Sequence, residues 1–378
     1  MSTLATLPAG APGAARRPWA QRWPLALAIL ALFGWLLWSV SARQALLLLV
    51  GVGLGWALAA ARFGFTTGWR HLVEHRDPSG VYGQIILLAA LSLLSMPLLA
   101  HFPETQAALG PPSVSLLIGA FVFGLAMQIS DGCGSGTLYK AGLGVPLNMA
   151  ILPLFALGSF LGSVHLNGWL GLGALEPVGL VQQWGAGGAL AATLAALALL
   201  AAAVGLWSGQ RFSFRRTPRR WIWGALVIAL FAALNLFIAG QPWGVVYGFG
   251  LWGAKVATAL GLFEPTQNAF WSDPGHAARL HQTLLLDVTS ITNIGILAGA
   301  LWVAPKRPQD ARPLTSAQWT IGLLAGFVLG YSSRLAFGCN VGAMVSGIST
   351  GSLHGWIWVP MAFMGTLIGI RVRRRFGF

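Results

Sequence analysis

QISDGCGSGTLYKAGLG, residues 128–144, and RLAFGCNVGAMVSGISTGSLHGW, residues 334–356, hold the chain's only two cysteines, Cys133 and Cys339. In each stretch an apolar run stops just before the cysteine, glycines surround it, and small hydroxyl residues follow. Glycine there lets the backbone leave a helix, expose amide N–H groups and approach a second chain closely. Irregular backbone at membrane depth survives only where it is buried in protein or lines a cavity. The pair therefore predicts two re-entrant half-helices that meet face to face.

Composition supports the membrane setting. Of 378 residues, 56% are hydrophobic and only 8% charged, against roughly 25% charged in a soluble domain, and the mean hydropathy is +0.70. Eleven apolar runs lie at 24–42, 45–61, 81–100, 114–129, 146–163, 186–207, 221–239, 243–262, 283–303, 318–333 and 355–370, most of them long enough to cross about 30 Å of hydrocarbon. The first run is flanked by positive charge and followed by no small-residue cleavage site, so it is expected to be a retained helix. The net charge of +14 does not imply nucleic acid, because the arginines gather at the ends of apolar runs instead of interleaving with aromatics.

The second half repeats the first. Trp23 matches Trp221, Arg62 matches Lys255, and Asp77-Pro78 matches Asp273-Pro274. Gly132-Cys133 falls on Gly338-Cys339, Gly136 on Gly342, and Pro153, Gly158 and Gly162 fall on Pro360, Gly365 and Gly369. An ordered series of this kind puts both cysteines in one structural position of two halves, and paired halves are how many transporters build a site near the bilayer midplane.

Charge then constrains topology. Basic clusters stand at Arg16, Arg17 and Arg22, at Arg211 to Arg220, at Lys306 to Arg312, and at Arg371 to Arg375. Cytoplasmic loops carry an excess of such residues. If all eleven runs crossed, two of the four clusters would fall outside. One run between 221 and 262 is therefore expected to enter without crossing, near the turn Gly240-Gln241-Pro242. The expected architecture is an all-α polytopic membrane protein with about ten transmembrane helices in two pseudo-symmetric, inverted repeats, both termini cytoplasmic. Its parts are a tail at 1–22, a first repeat at 23–185, a linking helix and basic loop at 186–220, and a second repeat at 221–378.

Asp131, Lys140 and Arg334 stand beside the thiols, and charged groups in membrane segments are expensive and usually face a bundle interior or a pathway. A neighbouring cation favours thiolate; Asp131 opposes it, or pairs with Lys140. Small-residue helix packing accounts for the glycines of the long helices, such as Gly51, Gly53 and Gly55, but not for these charges. His71-Leu72-Val73-Glu74-His75 matches the H-x-x-E-H pattern of zinc peptidases, which raises a membrane metal-dependent hydrolase as the alternative. Arg70 and Arg76 flank the motif and oppose a divalent cation, and no acidic residue elsewhere completes the set. There is no phosphate-binding loop or metal-spaced cysteine cluster, and the alternating Gly132, Gly134 and Gly136 lack the βαβ setting of a dinucleotide fingerprint. No cofactor is expected.

The two cysteine stretches, preceded by ARFGFTTGWRHLVEHRD at 61–77, resemble the YeeE/YedE family of membrane proteins, which includes thiosulfate importers and sulfur or selenium transport proteins. The resemblance runs from about residue 46 to the C-terminus. It implies an hourglass-shaped permease of the bacterial inner membrane and not an enzyme. Carried over by motif, Cys133 and Cys339 become the thiols of the constriction, with Gly132, Gly134, Gly338 and Asn340 around them. Relatives commonly carry a further cysteine near RFCF, where this chain has Gly64. A thiosulfate pathway needs cations and amides for oxygen, which Arg62, Lys140, Lys255 and Arg334 supply, and a soft group for the terminal sulfur, which the thiols supply. The resemblance also admits a selenium or persulfide-sulfur cargo and a soluble cytoplasmic sulfurtransferase or sulfur carrier as partner.

Overall fold

The computed structural model describes residues 22–214, 217–304 and 313–378, and the regular structure among them is helical. Arg16, Arg17, Arg215, Arg216, Lys306, Arg307 and Arg312, with all but the last residue of the expected tail 1–22, lie outside the described residues. The helices are α1 (Trp23–Ser39), α2 (Ala42–Ala61), α3 (Phe65–His75), α4 (Ser79–His101), α5 (Val114–Ile129), α6 (Gly134–Gly142), α7 (Pro146–Leu170), α8 (Leu180–Ser208), α9 (Arg219–Ala239), α10 (Val246–Ala259), α11 (Pro274–His281), α12 (Val288–Val303) and α13 (Ser316–Leu335). A π-helical stretch at Asn340–Ser346 leads into the single turn α14 (Gly347–Ser349), and α15 (Leu353–Arg375) closes the chain.

Small polar residues set the starts of these helices by accepting from otherwise orphaned N–H groups. Ser41 accepts from Gln44 N at 3.2 Å and Ser113 from Leu116 N at 3.1 Å. Thr315 and Gln318 form a reciprocal capping box on α13. The Asp77 and Asp273 carboxylates each accept from the backbone N–H two residues on, at 3.0 Å. Asp287 caps α12 with Ser290 N donating at 2.7 Å, which starts that helix five residues inside the apolar run read at 283–303.

Eight helical stretches among the described residues are long and apolar enough to cross a membrane, and α1 and α12 are shorter apolar helices of 17 and 16 residues. The molecule is thus an all-helical polytopic membrane protein. Between 221 and 262 the two apolar runs differ: α9 has 21 residues and α10 only 14, about 21 Å at the helical rise, short of a 30 Å core. α9 stops at Gly240, left-handed at φ 68, where glycine carries no Cβ penalty.

Helix pairing is close and depends on missing side chains. The most extensive pairings are α7 with α13, α2 with α12 and α5 with α15. A Cβ on Gly124 would run into the Ala362 carbonyl, and one on Gly365 into the Phe121 carbonyl, so α5 and α15 touch backbone to backbone. The same relation joins Gly158 to Phe327 and Gly330 to Phe155 across α7 and α13, and Gly55 to Ile296 and Gly299 to Val52 across α2 and α12. In a lipid solvent, this close approach and the van der Waals contact it allows are what hold helices together. The outward faces carry lipid-compatible residues such as Leu30, Leu93, Leu199 and Leu230.

Candidate functional site: two cysteine turns between two charged ends

The cysteines are reached by one backbone route used twice. After α5 the chain passes Asp131, left-handed at φ 54, then Gly132, and Cys133 opens α6 with φ −85 and ψ −172. After α13 it passes Phe337, left-handed at φ 56, then Gly338 at φ 148, and Cys339 opens the π-helical stretch with φ −93 and ψ −168. A Cβ at Gly338 would meet Ala343 N at 2.6 Å, and one at Gly132 would meet Thr137 N at 2.9 Å, so neither turn accepts a side chain there.

The two thiols come together. A Cβ added at Gly134 would stand 3.2 Å from the Cys339 Sγ, so Cys339 sits against the first turn of the helix that Cys133 caps. Both cysteines are buried and are free thiols. The Cys133 Sγ accepts from Gly136 N at 3.4 Å and lies 3.4 Å from the Ser135 hydroxyl. Two helix N-termini converge here, which places amide donors and the positive end of the helix dipole around the thiols. Asn340 is fully buried, and neither its Nδ2 nor its Oδ1 has a hydrogen-bond partner; the Thr137 hydroxyl is also unpartnered. Buried groups are normally satisfied, so the junction of the two turns keeps donors and an acceptor in reserve.

Charge lies on either side of the two cysteine turns. Beside Cys133, the Asp131 carboxylate pairs with Lys140 at 2.6 Å, Arg70 at 2.8 Å and Arg373 at 3.4 Å. Beyond the Cys339 turn, Arg334 stands over the Phe270 ring at 4.9 Å and the Tyr247 ring at 5.6 Å, while Arg279 stands over Tyr247 at 5.1 Å. Among the described residues neither Arg334 nor Arg279 joins a carboxylate, and the Arg334 Nε is buried without a partner. His276 stacks on Phe270 at 4.1 Å and shares a 3.0 Å hydrogen bond with the Tyr247 hydroxyl. Burial first, then Arg334 and Arg279, push His276 down to about 4 against a weaker opposing pull from Asp273. The ring is neutral at physiological pH, and the two arginines supply the charge. α7 runs between the two clusters: the Asn148 Nδ2 near its start donates to the Ser130 carbonyl beside Asp131, and a Cβ at Gly162 near its end would meet the Arg334 Cβ at 3.0 Å. The helical rise puts these two contacts about 21 Å apart.

Of the residues singled out in the sequence, Cys133, Gly132, Gly134, Cys339, Gly338 and Asn340 lie in the two turns that meet, and Lys140 and Arg334 belong to the charged groups on either side of them. Arg62 is the left-handed, exposed end of α2, with its charge felt by Tyr139. Lys255 donates to the Leu280 and Gln282 carbonyls, each at 2.5 Å, and so ties α10 to the C-terminal end of α11. Sequence reasoning passed over Arg70, Arg373, Tyr247, Phe270, His276 and Arg279. Arg70 read as a flank of the histidine motif and Arg373 as one of a topological charge cluster. Tyr247 read as part of the apolar run at 243–262, while Phe270, His276 and Arg279 sit in the segment between two apolar runs, and only folding brings them together with Arg334. In the histidine motif, the His71 and His75 rings lie 5.7 Å apart, and the Glu74 carboxylate accepts from Arg374 at 2.8 Å. No group of three or more His, Cys, Asp or Glu among the described residues could hold a metal.

Comparison with known proteins gives a consistent picture. A family model described as Sulphur transport matches residues 60–368. The chain is 27% identical over 350 residues to a thiosulfate transporter, TsuA, of Spirochaeta thermophila, covering 86% of this chain and 98% of that one. It is 24% identical over 345 residues to the thiosulfate transporter TsuA of Escherichia coli, covering 87% and 95%. A probable transporter, YedE, of Salmonella typhimurium is 27% identical over 179 residues, covering 43% and 41%.

Proposed function

The chain belongs to the sulphur transport family, and on that premise we propose that it is a bacterial inner-membrane permease that passes thiosulfate, or a closely related sulfur oxyanion, past Cys133 and Cys339. The carrying observation is the meeting of the two thiols at converging helix N-termini, beside an Asn340 whose donor and acceptor have no partner. Thiosulfate is a dianion with three hard oxygens and one soft terminal sulfur. Arg334 and Arg279 draw it into the first mouth. At the waist the amide N–H groups and Asn340 Nδ2 donate to its oxygens, and the S–H groups donate weakly to its sulfur. Both thiols remain free throughout and no bond is made or broken, so the protein is a conduit and not an enzyme. Conduction requires each contact to be weak enough to release.

Two halves of like construction support an inverted repeat around an hourglass conduit. The paired turns share their dihedrals at Asp131 and Phe337 and at Cys133 and Cys339, and the glycine contacts of α5 with α15 are repeated between α7 and α13. Arg76, Arg211, Arg219 and the Arg371 to Arg375 cluster gather at the Asp131 end. Positive-inside bias makes that end cytoplasmic, and Arg334 then faces outward. At the cytoplasmic end a soluble sulfurtransferase or sulfur carrier takes the anion onward.

The test is uptake of labelled thiosulfate by cells lacking other routes, comparing the wild type with the expressed double variant Cys133→Ser, Cys339→Ser. Uptake falls at least tenfold if the thiols line the path; unchanged uptake removes them from it. Competition by sulfite, sulfate and selenite then fixes the cargo, with strong selenite competition favouring a selenium species.

A further inference from the structure

Passage between two thiols does not by itself call for the ion cluster around Asp131. One carboxylate there meets three cations, Lys140, Arg70 and Arg373. The next carboxylate, Glu74, is engaged by a fourth cation, Arg374. With or without the Glu74–Arg374 pair, two positive charges are in excess among these groups. A cluster that served only to hold helices together would be expected to balance its charge, because an uncompensated buried cation is costly. The Arg70 Nη1 is moreover buried with no hydrogen-bond partner, so a donor is present for an acceptor that the protein does not supply. Asp131 is two residues from Cys133 and is held by the left-handed turn that precedes it, which puts the cluster immediately beyond the thiols.

We propose that Arg70, Lys140 and Arg373 form a second binding site for a divalent oxyanion, on the opposite side of the thiols from Arg334, and that the Asp131 carboxylate is a tethered competitor for those cations. The assignment rests on the permease reading for its cargo. Three converging cations would hold a dianion too tightly for flux. A carboxylate fixed among them occupies part of their hydrogen-bonding capacity, re-forms its ion pairs as the anion leaves, and so speeds release. The excess charge of two matches the charge of the cargo. Recognition here uses oxygens alone, so sulfate binds as well as thiosulfate, and the thiols are not needed for it.

The experiment uses the purified full-length protein in lipid nanodiscs for equilibrium binding of labelled sulfate, and in proteoliposomes for thiosulfate flux. Asparagine tolerates the left-handed turn, so Asp131→Asn removes the competitor with little change of shape. It is expected to bind sulfate roughly tenfold more tightly, a shift of about 1.4 kcal/mol, and to show lower maximal flux together with a lower half-saturation concentration. A merely structural Asp131 gives weaker binding with a lowered thermal midpoint, and that result overturns the proposal. Should the single variant fail to fold, Asp131→Asn with Lys140→Gln keeps the excess of two charges and still lacks the competitor. Tighter sulfate binding than wild type supports the proposal there, and equal or weaker binding overturns it. Sulfate binding by the Cys133→Ser, Cys339→Ser variant should match wild type; its loss places the site at the thiols and overturns the proposal. The two readings fail separately. Absent thiosulfate flux in the wild type, with the Asp131→Asn binding shift intact, sinks the permease and leaves the site. Normal flux with no binding shift sinks the site alone.

Discussion

Asn340 is a buried side chain whose two polar atoms are both unpaired, and leaving such groups unsatisfied costs about 1–3 kcal/mol. A residue kept at that cost beside Cys339 is better explained by a passing anion than by packing. Asn340→Leu, similar in volume and apolar, therefore separates stability from function. The thermal midpoint of the detergent-purified variant should be equal to or above that of the wild type, because the unsatisfied atoms are gone. The half-saturation concentration for thiosulfate should rise about tenfold, as expected for loss of a contact worth roughly 1.4 kcal/mol. A lowered midpoint with unchanged uptake would make Asn340 a structural residue. Gly64 is the buried residue that opens α3. A side chain there would meet the Thr67 hydroxyl at 3.1 Å, so the site is tight but the backbone is ordinary.

At the scale of elements, three helix pairs are built on glycine, and each places a missing Cβ against the partner's backbone carbonyl. Flexible side chains can move aside, but a backbone carbonyl moves only with its helix. Gly365→Val should therefore push α15 away from α5, with a loss of about 3 kcal/mol that exceeds the roughly 0.4 kcal/mol gained in helix propensity. The readout is a lowered thermal midpoint together with reduced uptake, since α15 also carries Arg373 to Asp131. Gly34, which has nothing within 4 Å of its would-be Cβ, is the control, and Gly34→Ala should be neutral. Equal effects at the two positions would show that close packing is not what these glycines provide. The two cysteine turns follow the same logic in reverse. Their backbones leave regular helix where both cysteines are buried in protein, and lipid-exposed backbone has no such freedom.

At the scale of the molecule, the charge distribution predicts an orientation that labelling can test. In the cysteine-free background, Arg76→Cys at the basic end and Glu264→Cys on the exposed turn before α11 should react with a membrane-impermeant maleimide from opposite sides. Position 76 should be labelled only after the cytoplasmic face is opened, and position 264 in intact cells; the reverse pattern would invert the topology. Much of this architecture is legible in the chain itself. Apolar runs of near-membrane length, arginines at their ends and a cysteine turn written twice determine an all-helical membrane protein with two equivalent breaks, because backbone satisfaction in lipid leaves few other solutions. The sequence also marks the waist residues, since glycine, cysteine and asparagine are adjacent there. It does not determine which charges act together. Arg70, Asp131, Lys140 and Arg373 come from α3, the turn after α5, α6 and α15, and the Arg334 cluster from α10, α11 and α13. Those groupings depend on crossing angles and on backbone contacts at glycine, which no linear pattern encodes. Local propensity and the membrane settle the helices; only tertiary packing decides that one cation pair is left without a carboxylate while another cation cluster is given a single shared one.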